Sequence, residues 1–473
     1  MPTFKEEDHM FQTGDLESRL RELIESHGIP GAQLAVIDGG EIVEAAAGVL
    51  SLRTQSPSRP DALFLPGSIG KLYTATLALM LVGEGKLDLD TSVRTYLPDF
   101  RVKDPDAPDR VTVRHLLTHT SGFDGDHFAD TGRGDDALAR YVDGCADLPQ
   151  IADPGKIWSY SNSGYAILGR IVEVTTGAVF EDVLRDRLFA PLGLASTVSF
   201  AEQAIPHPVA VGHVSDPESP GRLMVSPTWG LYRAFGPMGT AVIASAGDVL
   251  RFVNLHLRGG KAPDGETLLD PGLVAAMQEE QAQLVDDSLL GGAWGLGWNI
   301  DRWGGTTVIG HDGNSIGQNA FMRAAPDEQF GFCLQTNVES ALSLFREVAE
   351  WLFGERLGVG PKADPAAHDV AAVTDPDRYV GSYEREGLRV QVSADGDGRL
   401  VAAVAPTHAV AEDLGWPEMI DLPLVPVEKE DSFFLRLPIA DADLLAVFFN
   451  PDTPGGRPTY LHYGARAAKR TSS

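Results

Sequence analysis

Cysteine is nearly absent: Cys145 and Cys333 are the two in 473 residues. Both lie in apolar stretches and lack metal-ligand spacing, so neither a disulfide framework nor a zinc site is expected. Two buried free thiols suit a reducing compartment. No run of 18 apolar residues occurs, so no membrane-spanning helix is expected. The opening stretch, MPTFKEEDHMFQTGDLESRL, has no apolar core of the kind a secretory signal needs. The expected location is therefore the cytoplasm. Positive charge is short as well: 38 Lys and Arg stand against 67 Asp and Glu, for a formal net charge of −29. So acidic a surface repels nucleic acid and anionic membranes, and neither is expected as a partner. Lysine is scarce beside arginine, so a lysine close to a candidate nucleophile carries weight.

What is present is the balance of a globular protein. Apolar residues make up 43% and charged residues 22%, enough for a sizeable core. The length suits two or three domains. From Asp15 to His27, Leu16, Leu20, Leu23 and Ile24 recur at helical spacing. Two strand-like runs follow, Gln33 to Ile37 and Ile42 to Ala47, around Asp38-Gly39-Gly40, and read as a hairpin. The next helix, from about Ser68 to Gly83, is apolar nearly all round and should be buried. Further helices are expected at His115 to His119, Tyr165 to Thr176, Ala246 to Leu257 and Leu342 to Leu357. Late strands are expected at Gly297 to Arg302, Thr306 to Gly310, Gly317 to Arg323 and Phe330 to Thr336. Strands at both ends with helices between predict one sheet completed by both ends of the domain.

The division that follows is 1–357 as the catalytic domain, 358–372 as a linker and 373–473 as an all-β module. The linker reads GVGPKADPAAHDVAA. The module has strand candidates at Leu388–Val392, Leu400–Val404, Phe433–Leu437, Leu444–Phe449 and Thr459–Tyr463, the pattern of a barrel or sandwich.

Three short motifs carry the chemistry. Ser68-Ile69-Gly70-Lys71 follows Pro66-Gly67, which places the serine at a helix start. Residues three apart share a helix face, so Lys71 can reach the Ser68 hydroxyl. A serine is a weak nucleophile until a base takes its proton. A buried lysine loses affinity for its own proton and can serve as that base. Taken alone the motif is weak, since on the order of one S-x-x-K arises by chance in such a chain. Tyr160-Ser161-Asn162 sits in a loop before a helix. A tyrosine beside a cationic lysine can carry a lowered pKa and shuttle protons; the plainer reading is a packing aromatic and an N-cap. His311-Asp312-Gly313 is expected at a strand edge, where glycine lets a substrate backbone approach. The plainer reading there is a tight turn with an exposed histidine.

The three together resemble the serine β-lactamase and penicillin-binding-protein superfamily, whose signature runs S-x-x-K, Y-x-N, then K-T-G or H-x-G. The flanking sequence agrees: HLLTHTSGF at 115–123, PGKIWSYSNSGYAILGRIVE at 154–173 and GHDGNSIGQNAFMR at 310–323. The resemblance covers about residues 15–355 and is nearest the class C-like branch. It implies an α/β fold: a β-lactamase/transpeptidase-like domain, with an antiparallel sheet, flanking helices and an all-helical part, followed by an all-β, lipocalin-like barrel.

By position, the resemblance makes Ser68 the acylated nucleophile, Lys71 the general base and Tyr160 the group that relays the proton to the leaving group. Asn162 would steady Lys71. His311 would replace the third-motif lysine as a weaker, pH-dependent cation. The oxyanion hole would be the backbone N–H groups of Ser68 and Asn314, and Asp312 and Gly313 would contact substrate. His115 and His119 look catalytic at first sight, but the resemblance makes them supports of a loop. No metal or cofactor is implied.

Histidine in the third motif disfavours substrates held by a free carboxylate and favours esters, amides or thioesters. The finer resemblance is to penicillin-binding-protein-type thioesterases of nonribosomal peptide pathways, which carry a C-terminal lipocalin-like domain. Those enzymes take a peptide from a carrier-protein thioester onto serine and release it as a macrocycle. A terminal D-residue on that peptide would echo the D-Ala preference of the superfamily. A carboxylesterase or D-aminopeptidase, with water as the acceptor, is the alternative. A silent ligand sensor is a third reading, opposed by the intact Ser68, Lys71 and Tyr160. Two roles are open to the C-terminal module: capping, or walling the acyl groove and meeting the carrier protein.

Overall fold

Leu16, Leu20, Leu23 and Ile24 line one side of helix α1 (Thr13–Ser26) and are buried, as helical spacing requires. The hairpin follows as β1 (Gly31–Asp38) and β2 (Glu41–Gly48). The structure is a computed structural model that describes residues 11–216, 218–219, 221–288, 290–363, 365–366, 372–406, 419–435 and 443–472. The opening residues 1–10, and residues 364 and 367–371 of the expected linker, lie outside these.

Helix α2 (Gly70–Gly83) is buried nearly all round, through Lys71 to Leu79 and Leu81. Helices α3 (Asn162–Thr176), α4 (Ala246–Leu257) and α5 (Leu342–Leu357) follow. Ser161 caps α3 by accepting from the Gly164 N–H, and Ser245 caps α4 by accepting from that of Asp248. Gly177 and Gly358 end α3 and α5 in the left-handed conformation, which glycine adopts freely.

The late strands are β3 (Ala282–Gln283), β4 (Ala293–Trp294), β5 (Asn299–Trp303), β6 (Thr306–Ser315), β7 (Gln318–Ala325) and β8 (Phe330–Thr336). They join the hairpin in one antiparallel sheet of order β2-β1-β8-β7-β6-β5-β4-β3. Both ends of the domain thus complete a single sheet, in agreement with the sequence pattern. One face packs on α2, α3 and α4 through Ala35, Ile309, Met322 and Cys333. The other packs on α1 and α5 through Leu34, Val36, Phe321 and Phe332. Cys145 and Cys333 are free and buried.

Two boundaries differ from expectation. The strand expected to stop at Gly310 runs on to Ser315, because Gly310 to Ser315 pair with Arg323 to Gln318. His311 therefore lies within a strand, just past Gly310 where the pairing with β5 ends, so that it is paired with β7 alone. The helix expected at His115 to His119 spans Val113–Leu117, and His119 lies beyond it with φ +57°.

The C-terminal strands are β9 (Gly381–Arg385), β10 (Leu388–Ala394), β11 (Leu400–Pro406), β12 (Ile420–Pro423), β13 (Val425–Pro426), β14 (Ser432–Leu435), β15 (Leu444–Phe449), β16 (Tyr460–Tyr463) and β17 (Arg466–Ser472). Their order is β12-β11-β10-β9-β17-β16-β15-β14-β13, with every neighbour pair antiparallel. The two edge strands, β12 and β13, are separated only by Leu424, so the sheet curls almost shut into a barrel. Val390, Val392, Phe433, Phe448 and Leu461 fill it. Residues 436–437, expected to end a strand, lie outside the described residues. No helix among the described residues is long and apolar enough to cross a membrane.

Candidate active site

Pro66 and Gly67 end the incoming chain and open a 3₁₀ turn, Gly67–Ile69, from which α2 starts at Gly70. Ser68 therefore sits in a tighter turn just ahead of the α-helix. In such a turn residues i and i+3 eclipse each other, which aligns Lys71 with Ser68. Lys71 Nζ lies 3.0 Å from Ser68 Oγ and donates to the Met238 carbonyl at 2.6 Å.

Three backbone segments meet at this turn with no room for side chains. A β-carbon on Gly313 would fall 1.8 Å from Pro66 O and 3.1 Å from Ser68 N. One on Gly67 would fall 2.6 Å from Asn314 O, and one on Gly239 would fall 2.1 Å from Gly67 O. Gly67 and Gly239 also have positive φ, +55° and +138°. Strand β6 thus lays the Gly313–Asn314 backbone directly against Ser68, bringing together the two segments expected to supply an oxyanion hole.

Lys71 is fully buried. Burial holds its amine well below the usual lysine range, Arg466 pushes it down further, and Asp126 opposes them. A neutral amine has a lone pair that can take the serine proton. The Tyr160 ring lies 4.9 Å from Lys71 Nζ. Burial pushes the Tyr160 hydroxyl up, while Ser68 and Arg466 favour its ionised form more weakly. Tyr160 therefore keeps its proton, in contrast to the lowered pKa expected beside a charged lysine. Burial disfavours the lysine charge that would have lowered it. The Tyr160 hydroxyl is buried beside Ser68, where it can serve as an acid toward a bound substrate.

Asn162 is the first residue of α3, and its amide donates to Asp126 at 2.9 Å. Its link to Lys71 runs through Asp126, which also faces the lysine electrostatically. His311 is 1% exposed, and its Nδ1 lies 2.6 Å from the Asp312 carbonyl. A carbonyl only accepts, so Nδ1 carries the proton and Nε2 is a bare acceptor. Burial, with Lys71 adding to it, lowers the His311 pKa to about 3. His311 is thus neutral and cannot act as the cation expected in the third motif.

Adjacent strand residues point to opposite faces, so Asp312 points away from His311. Its carboxylate is held by Arg323 at 2.5 Å, beneath Phe345 of α5. Asp312, expected to contact substrate, is thereby placed on the far face of the sheet, leaving the backbone of Gly313 and Asn314 to face Ser68.

His115 caps its own helix with Thr112. His119 accepts from the Ser161 N–H at 3.0 Å and stacks on Tyr160 with ring centres 4.2 Å apart. It holds the Tyr160 loop from behind, together with Trp158 and Trp294.

Local sequence carries no sign of the groups that arrive from the C-terminal sheet. Tyr160 N donates to Ala465 O at 2.9 Å. The Arg466 guanidinium sits 5.1 Å over the Tyr160 ring and pairs with Asp126. Arg385 also pairs with Asp126, at 3.3 Å. Burial alone would raise the Asp126 carboxyl; the two arginines overcome it and hold the group below the usual range.

The family model described as Beta-lactamase matches residues 16–352. The chain belongs to the β-lactamase family. Penicillin-binding protein 4 of Amycolatopsis lactamdurans is 42% identical over 389 residues, covering 80% of this chain and 99% of that protein. A D-aminopeptidase of Brucella anthropi is 26% identical, over 87% of this chain and 73% of that one. Among solved structures, SurE superposes with a TM-score of 0.78 at 28% identity, over 97% of this chain and 99% of its own. A second structure, of SurE with D-Leu, superposes at 0.74. The protein is a serine hydrolase of the β-lactamase and penicillin-binding-protein family.

Proposed function

We propose that this protein is a thioesterase that takes a peptide from a carrier-protein thioester onto Ser68 and releases it as a macrocycle. The observation that carries the acyl-enzyme step is the 3.0 Å pairing of Ser68 with a fully buried Lys71. In the first half, Lys71 takes the Ser68 proton as Oγ attacks the thioester carbonyl. The Ser68 and Asn314 N–H groups hold the oxyanion, an interaction whose loss typically slows such enzymes about 10²–10³-fold. The C–S bond then breaks, Tyr160 protonates the departing thiolate, and Lys71 returns a proton to Tyr160. In the second half, the peptide's own amine attacks the ester, its proton passes to the Lys71 amine, and Ser68 Oγ leaves and takes that proton back. The sum is thioester plus amine giving amide plus thiol, with no cofactor required.

Three features support this choice of substrate. The neutral His311 offers no cation for a carboxylate. The chain carries a C-terminal barrel, and its likeness to SurE extends over nearly the whole chain. One of the SurE structures contains D-Leu, in keeping with a D-residue at the acyl end. On this reading the protein works in the cytoplasm beside its carrier protein.

The likeness to a D-aminopeptidase over 87% of the chain favours a second reading, in which water accepts the acyl group. A peptidyl thioester with a free N-terminal amine and a C-terminal D-residue separates the two. We expect a cyclic peptide by mass spectrometry; linear acid alone would overturn the cyclase reading and favour the hydrolytic one.

A further inference from the structure

We propose that Arg466, delivered by the C-terminal sheet, is a positioning residue of the catalytic centre, clamping Tyr160 and Asp126 around Lys71. The inference rests on the reading of Lys71 as the base for Ser68. Its structural basis is a hairpin tip. Strands β16 and β17 are joined by Gly464-Ala465, both with positive φ, +58° and +67°, the geometry of the tight turn that suits twisted hairpins. The tip enters the cluster formed by Trp158, Tyr160, Leu290 and Trp294, where Ala465 is buried. Two hydrogen bonds fix it there: Tyr160 N donates to Ala465 O at 2.9 Å, and Ala467 N donates to Ser159 Oγ at 3.1 Å. The hairpin therefore grips Ser159 and Tyr160, the two residues just before the Ser161 cap of α3.

Arg466 lies between those two bonds. Its guanidinium covers the Tyr160 ring at 5.1 Å, and Lys71 Nζ approaches the same ring at 4.9 Å. Arg466 Nη2 also donates to Asp126 Oδ1 at 3.1 Å, on the oxygen that accepts from Asn162. One arginine thus ties the second motif to the C-terminal sheet. It also balances the carboxylate that would otherwise hold a proton on Lys71.

The other groups around Lys71 do not supply that balance. Tyr160 and Tyr165 face it as rings and keep their protons. His119 and His311 are neutral through burial. Around Arg466 itself stand Asp126, Asp124, Arg385 and a buried His462. Arg385 shares Asp126, while Asp124 is turned to the Glu386 N–H at 2.5 Å.

The test is the pH profile of Ser68 acylation, read as the burst with p-nitrophenyl acetate, in the full-length chain. In Arg466→Gln the acidic limb should move up by about one pH unit, as expected for loss of a charge within several ångströms. Acylation below the wild-type midpoint should then fall about tenfold. Asp126→Asn should move the limb the opposite way, and Arg466→Lys should restore it most of the way to wild type. A purely structural role would lower all rates without moving the limb. Folded Arg466→Gln with a wild-type limb overturns the proposal. Should that variant not fold, Asp126→Asn decides: a downward shift supports the clamp and an unmoved limb overturns it. Failure of the underlying reading looks different, because the burst would then survive at near the wild-type rate in Lys71→Met.

Discussion

In a Lys71→Met variant, acylation of Ser68 by an activated ester should fall about 10²–10⁴-fold, the usual contribution of a general base. The fold should survive. Methionine fills nearly the same volume, and the site around Lys71 is walled by Tyr160, Tyr165 and Met238. Stopped-flow measurement of the burst rate checks the prediction, with circular dichroism to confirm the fold. A rate within a few-fold of wild type would remove Lys71 from the mechanism.

The same variant makes a thermodynamic prediction. Burial holds the folded Lys71 well below the ordinary lysine value of 10.5. Between the two pKa values the unfolded chain binds a proton that the folded chain does not. Stability therefore rises with pH across that window. At neutral pH this linkage penalises the folded wild type, and the penalty fades as pH approaches 10.5 from below. Lys71→Met should thus gain stability relative to wild type at neutral pH, and the gain should shrink toward alkaline pH. Urea titrations of both proteins at several pH values measure it.

Replacing Gly313 by alanine should have the second large effect. The added carbon would lie 1.8 Å from Pro66 O, a backbone atom that cannot rotate away. Either β6 retreats or the Ser68 turn does. Overpacking of this kind typically costs about 1–3 kcal/mol. Retreat also draws the Asn314 N–H from the place where an oxyanion forms, and loss of one such donor typically lowers kcat by about 10²–10³-fold. The expected signature is a fall in kcat with KM little changed, measured on an ester substrate. Unchanged kcat in folded Gly313→Ala would mean that β6 does not serve the reacting carbonyl.

Much of this site is legible in the order of the residues. Ser68 and Lys71 lie three residues apart, and helix geometry alone links them. Helices Ala246–Leu257 and Leu342–Leu357 begin and end where their apolar spacing and terminal glycines indicate. Sheet closure by the front hairpin follows from the placement of strand-like runs. Other features depend on contacts that no local pattern encodes. Gly310-His311-Asp312-Gly313 has the composition of a turn, yet pairing with β7 keeps it extended. His311 would titrate normally in water and is silenced only by the walls around it. Asp312 shares a motif with His311 but belongs to the opposite face, where Arg323 waits 11 residues away. Arg466 is separated from Asp126 by 340 residues, in the run ARAAKRTS beyond Tyr463, where the last expected strand ends.

Mass spectrometry of the protein mixed with a peptidyl thioester ending in a D-residue tests the role of Ser68 most directly. The expected result is a mass gain equal to the peptidyl group, located by fragmentation on the peptide that contains Ser68 and absent from Ser68→Ala. An adduct on another residue, or product formation by Ser68→Ala at the wild-type rate, would contradict it.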